Sequence, residues 1–197
     1  MPKLVDAEER RNFIAGIAAE LIAEEGLEHA TVRRIAKRAG ATRGLVAYHF
    51  ENKSDIIELA INEINRRYTA RERRLIKNKR GLSALHARLS CLLPLNKQAS
   101  KEWRMRLRFW GANDKELRAI QQKRVVEAYR IFSECLAEAL ELHEIPASID
   151  IDATAKRIQA VVVGLSAIAI VESDSIDKRY LKNELDRLIQ MIRAGAF

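Results

Sequence analysis

Thr31 to Lys53 reads TVRRIAKRAGATRGLVAYHFENK, and this stretch decides the architecture. Thr31 can cap a helix over Val32 to Ala39, because a threonine oxygen accepts the otherwise unpaired N–H groups of a first turn. Gly40 breaks that helix. Thr42 can cap a second short helix ending near His49. Val32, Ile35, Ala36 and Ala39 supply a buried face on the first helix; Leu45, Val46 and Phe50 anchor the second. Two short helices about a tight Ala39-Gly40-Ala41 turn make a helix-turn-helix. The second is short and polar enough at its start to enter a major groove.

The charges inside the motif sharpen this expectation. Arg33 and Arg34 stand in a first helical turn, where a cation opposes the macrodipole by about 0.3–1 kcal/mol. Arg43 opens the next helix and is equally misplaced for helix stability. A nearby phosphate would account for all three, and arginine is suited to bidentate contact with guanine. The bland alternative is a set of solvated surface arginines. Gly44 inside a short helix costs about 1 kcal/mol against alanine, so close approach of its backbone, to DNA or to the first helix, is expected in compensation.

Working outward, helical periodicity continues almost everywhere and strand alternation is nearly absent. Ile14, Ile17, Ala18, Leu21 and Ile22 form the stripe of a first helix, Ala7 to Glu25, closed by Gly26 with Leu27 as the apolar contact. Asn52, paired with Asp55, opens a long fourth helix striped by Ile56, Ile57, Ala60, Ile61, Ile64 and Tyr68. Further helices are expected near 82–93, 98–112, 114–142, 151–172 and 177–193. The fold class is therefore all-α, with about nine helices. A helix-turn-helix domain over 1–52 leads through a connecting helix, 53–80, into a C-terminal bundle, 81–197, with a boundary near Tyr68 to Gly81.

Composition supports an anionic partner for the front of the chain. The 197 residues carry a net charge of +8. Residues 1–80 hold 17 basic and 12 acidic side chains, residues 81–130 hold 11 and 4, and residues 131–197 hold 7 and 11. A basic surface steers polyanions. Cys91 and Cys135 have no metal spacing and read as small buried hydrophobes of a protein in the reducing cytoplasm. His29, His49, His86 and His143 match no metal or nucleophile motif, so neither an enzyme, a metal nor a cofactor is expected. The start has no signal-peptide pattern. The apolar run Ala160 to Val171 is shorter than the ~20 residues of a membrane span, so no membrane partner is expected.

Trp103, Phe109, Trp110, Tyr129 and Phe132 are most of the large aromatics of the bundle. They are either structural core or the lining of an effector cavity between helices. Ala153 to Val171 is apolar nearly all round after Arg157, so it needs partners on two sides. The last helix supplies one; a second subunit can supply the other. Val161, Gly164, Leu165, Ile168, Leu185, Leu188 and Ile192 are the expected interface of a homodimer.

The motif resembles the TetR family of bacterial regulators at fixed offsets: Thr31, Ile35-Ala36, Ala39-Gly40, Thr42, Gly44, Tyr48-His49-Phe50 and Lys53. The resemblance implies a transcription regulator that grips double-stranded operator DNA as a dimer and is released by a small-molecule effector. It implies phosphate contacts from Thr31, Thr42, Tyr48 and Lys53, with Arg43, Ala47 and His49 facing bases or the groove. Met1-Pro2-Lys3-Leu4, Phe109-Trp110 and the Leu117 to Gln122 segment resemble the BetI-like branch, which answers to choline. Arg106 stands where that branch often has a tryptophan, and a cation there opposes a cationic ligand. A helical ligand-binding module that never touches DNA is the alternative; salt dependence of binding separates the two.

Overall fold

A computed structural model describes residues 2–26, 29–50, 53–110, 115–172 and 174–197, with the backbone alone at 2–6, 53, 54, 109, 116 and 117. Among the described residues all regular structure is helical: α1 (Pro2–Glu25), α2 (Val32–Ala39), α3 (Arg43–His49), α4 (Lys53–Ile76), α5 (Gly81–Leu92), α6 (Lys97–Trp110), α7 (Lys115–Glu141), α8 (Ile151–Val171) and α9 (Lys178–Arg193).

Helix α1 begins five residues earlier than periodicity suggests, at a proline whose fixed φ and missing N–H suit a first helical position. The expected contact of Leu27 and the pairing of Asn52 with Asp55 fall outside the described residues. The caps around the motif form through side chains. The Thr31 Oγ1 accepts from the Arg34 N–H at 3.4 Å, and the Thr42 Oγ1 accepts from the Leu45 N–H at 3.2 Å. Gly40 takes φ +62°, and the Ala41 N–H donates to the Ala36 carbonyl at 2.9 Å. Only glycine adopts that conformation without a Cβ penalty.

The chain divides into two compact units. One comprises Met1–Thr69 with Arg104–Ala112; the other comprises Ala70–Trp103 with Asn113–Phe197. Helices α4 and α6 each contribute residues to both. Within the N-terminal unit the Arg106 guanidinium lies 5.6 Å from the centre of the Tyr68 ring, a contact that ties the end of α6 to α4.

The N-terminal core gathers Ile14, Leu21, Ile22, Ile35, Val46, Phe50, Ile56 and Ile61. The C-terminal core gathers Leu82, Leu85, Leu89, Phe132, Leu136, Ile158, Leu181, Leu185, Leu188 and Ile192. There α7 packs on α5 and α8, and α9 packs on α5. The C-terminal unit also buries charge. Arg71 makes a two-armed ion pair with the buried Glu102, at 2.9 and 3.1 Å. Arg88 pairs with the buried Glu72 at 3.0 Å. Removing one partner of such a pair costs about 3–5 kcal/mol, because the other charge is stranded. Cys91 and Cys135 are buried, as their composition suggested. Burial pushes both thiols up, against the opposing pull of Arg71 on Cys91 and of Arg88 on Cys135.

Helix α8 corrects one expectation. Taken whole it has 21 residues and is long and apolar enough, by length and composition, to cross a membrane. Its polar first turns and its buried residues Thr154, Ala155, Ile158 and Val162 make it a core helix of the C-terminal unit.

Candidate nucleic-acid interface

Helix α3 has two faces set by the helical period. Val46 and Phe50 are buried and Leu45 is half-buried, which fixes the helix to the domain. Arg43, Gly44, Ala47 and Tyr48 fall on the opposite face and are exposed, Tyr48 by 82%. A tyrosine so exposed buries little in return, which is unusual for a large aromatic. His49 is half-buried, its ring 5.3 Å from that of Tyr48 and edge-on to it.

Thr31 and Thr42 are exposed at the N-termini of α2 and α3. Each hydroxyl oxygen accepts its cap N–H, which leaves the O–H proton available to an outside acceptor. Gly44 is not explained by packing. A Cβ built there meets nothing nearer than the Thr42 Oγ1 at 4.0 Å. The described residues of helix α1 therefore do not approach it.

The arginines separate. Arg33 and Arg43 are exposed and pair with no carboxylate among the described residues. Arg34, by contrast, pairs with Glu25 at the end of α1. That corrects the expectation that no local partner explains it. Arg38 pairs with Glu24 at 2.6 Å in the same way. No sequence rule exposed these links, because Glu24 and Glu25 meet α2 only through the fold. The side chain of Lys53 lies outside the described residues.

Of the expected effector lining, Trp103, Tyr129 and Phe132 belong to the C-terminal unit, and Phe109 and Trp110 to the N-terminal one. Trp103 and Phe132 are buried, and the Trp103 indole N–H donates to the Leu92 carbonyl at 2.6 Å. Trp110 is half-exposed and Tyr129 half-buried; the side chain of Phe109 lies outside the described residues. An open cleft of about 630 Å³ lies elsewhere, between His143, Glu144, Ile145, Pro146 and Arg193. Among the described residues no three His, Cys, Asp or Glu side chains come together to hold a metal.

The expected subunit interface is corrected in part. Leu185, Leu188 and Ile192 are buried inside the C-terminal unit, because α9 has one apolar stripe and α5 covers it. On α8 apolar surface is left uncovered: Val161 is 37% exposed, Ile168 49% and Val171 83%, with Leu165 half-buried. A Cβ at Gly164 meets nothing within 4 Å.

A capped helix-turn-helix with a polar, exposed second helix, joined to a helical bundle, defines a class of DNA-binding regulators. The description "Bacterial regulatory proteins, tetR family" matches residues 16–60, and "BetI-type transcriptional repressor, C-terminal" matches residues 82–194. The chain belongs to the TetR family, with a C-terminal part of the BetI type, and is a DNA-binding transcription regulator. It is 25% identical to the HTH-type transcriptional regulator PksA of Bacillus subtilis, over 98% of this chain and 94% of that protein. A transcriptional regulator from Rhodococcus sp. Rha1 shares the fold with a TM-score of 0.79 and 29% identity, covering 92% of this chain and 95% of that one. A regulator from Saccharomonospora viridis, solved in complex with choline, has a TM-score of 0.81 at 20% identity, covering 93% and 96%. At that identity the likeness is one of fold.

Proposed function

We propose that the protein is a cytoplasmic homodimeric repressor that occupies a pseudo-palindromic operator and leaves it when a small organic effector binds the C-terminal unit. The observation that carries the reading is the outward face of α3, where Arg43, Ala47 and Tyr48 surround the open Gly44, flanked by the hydroxyls of Thr31 and Thr42. In this reading the two threonines, Tyr48 and Lys53 bind phosphates, and Arg33 joins them. Arg43 reads a base edge, with Ala47 and His49 lining the groove. The exposed α8 strip of Val161, Gly164, Leu165 and Ile168 supports a two-fold pairing that presents two copies of α3 to one duplex. Release requires the effector to bind the DNA-incompetent state more tightly than the DNA-competent one.

The test is binding to a duplex selected by the protein from a random-sequence pool, titrated against salt, with choline as the first effector probe. Selective, salt-dependent binding by a dimer supports the reading. Affinity indifferent to both sequence and salt refutes it in favour of a ligand-binding module without DNA. Effectors that bind without changing duplex affinity refute the release mechanism alone.

A further inference from the structure

In the N-terminal unit the described cations divide by whether the fold already meets their charge. Arg34 and Arg38 are held by Glu25 and Glu24. Arg66 and Arg67 share Glu63 at 2.7 Å each, and Arg67 lies 3.8 Å from Glu20. Arg33, Lys37 and Arg43, in α2 and α3, meet no carboxylate among the described residues. Neither do Arg10 and Arg11 in α1, a helix outside the helix-turn-helix.

Arg11 is placed by a second observation. It is exposed, and its guanidinium lies 5.9 Å from the centre of the ring of Phe50, the residue that closes α3. The Phe50 ring is 6.5 Å from that of His49, and His49 is 5.3 Å from Tyr48. Aromatic contacts thus run stepwise from the exposed tyrosine of the recognition helix to this arginine. A guanidinium over a ring keeps its in-plane N–H donors free, and their fork matches a phosphate. Each DNA strand carries one phosphate per about 3.4 Å of axis. A strand that meets Tyr48 therefore has further phosphates within an arginine's reach.

We infer that Arg11 is an additional DNA contact, donating to a backbone phosphate beside the C-terminal end of α3. This rests on the DNA-binding reading above. The contact adds affinity and no base preference, because phosphates carry no sequence information. By the same division Arg34, whose charge Glu25 already meets, contributes little to the counterion release that drives binding.

The experiment measures affinity against salt for wild type, Arg11→Ala and Arg34→Ala, on the selected duplex and on a scrambled duplex of equal length. Each lost phosphate contact lowers the slope of log K against log salt by about 0.9. Arg11→Ala should lower it by about 1.8 per dimer, equally on both duplexes. The ratio of wild-type to variant affinity then shrinks about twelvefold between 50 and 200 mM salt. Arg34→Ala should leave the slope in place. An unchanged slope in Arg11→Ala overturns the inference, as does an equal loss in Arg34→Ala. If alanine disturbs the fold, judged by thermal melting, Arg11→Lys and Arg11→Gln carry the same test: lysine keeps the slope and glutamine loses it. Wild-type protein with a flat salt response overturns the DNA reading itself. A steep wild-type slope shared by Arg11→Gln overturns only the role of Arg11.

Discussion

Replacing Gly44 with alanine should make the free protein more stable and its DNA complex weaker. Gly44 is the second residue of α3, and a Cβ there has only the Thr42 Oγ1 near it, at ordinary van der Waals distance or beyond. Its φ is not in the left-handed region, so alanine adopts the same backbone without strain. The folded state gains because alanine loses less backbone freedom than glycine, about 0.5–1 kcal/mol per site. In a protein of this length that raises the melting temperature by about 1–4 °C. The complex responds in the opposite direction. If the duplex lies against the Gly44 backbone, an extra methyl must be accommodated in close contact, at about 1–3 kcal/mol per copy. That is a loss of about five- to 150-fold in affinity for each copy, and the factors of the two copies in a dimer multiply. Thermal melting of the free protein and titration of the selected duplex measure the two effects on one sample. A variant that melts higher and binds as well as wild type refutes the close approach of DNA to α3. A variant that melts lower refutes the premise that nothing in the protein occupies that space.

Four other outcomes follow from named contacts. Arg43→Ala should relax preference at one operator position, by about 1–3 kcal/mol, in a binding scan across single-base substitutions. Gly81→Ala should destabilise the C-terminal unit by at least ~1–2 kcal/mol in chemical denaturation, because φ there is +52° and the new Cβ meets the Glu144 carboxylate and, at 3.2 Å, the Ala139 backbone. Burial alone would raise the Glu63 carboxyl, but hydrogen bonds from Arg66 and Arg67 outweigh it and hold the group below the usual glutamate range. Its stabilising contribution is therefore complete above the ordinary glutamate value of about 4.3 and is lost as pH falls below it; Glu63→Gln should flatten acid unfolding in that window, read by circular dichroism. Ile168→Lys, on the exposed strip of α8, should shift sedimentation from dimer to monomer while leaving helix content unchanged.

The helix pattern was legible because it depends on neighbours within four residues. The apolar stripes of α1 and α4 and the break at Gly40 placed elements within a few residues of where they form. The motif was legible for the same reason: Thr31, Gly40 and Thr42 act on their own turns, and the period of α3 sends Val46 inward; the outward role of Tyr48 rests on the family resemblance. The partners of exposed charges were not legible. Arg33 and Arg34 are adjacent and alike in sequence, yet among the described residues one pairs with no carboxylate and the other meets Glu25 across an inter-helix contact. The same limit misplaced Leu185, Leu188 and Ile192. An apolar stripe says that something covers it, not whether the cover is α5 or another subunit.

Capping, periodicity and charge are local properties, so an all-helical chain with a capped helix-turn-helix and a basic front follows from residue order alone. Packing between distant segments sets which cations the fold neutralises, which apolar strip stays open on α8, and that Arg11 stands beside Phe50. Those are facts of distance between segments far apart along the chain, and residue types do not encode distance until the core has packed.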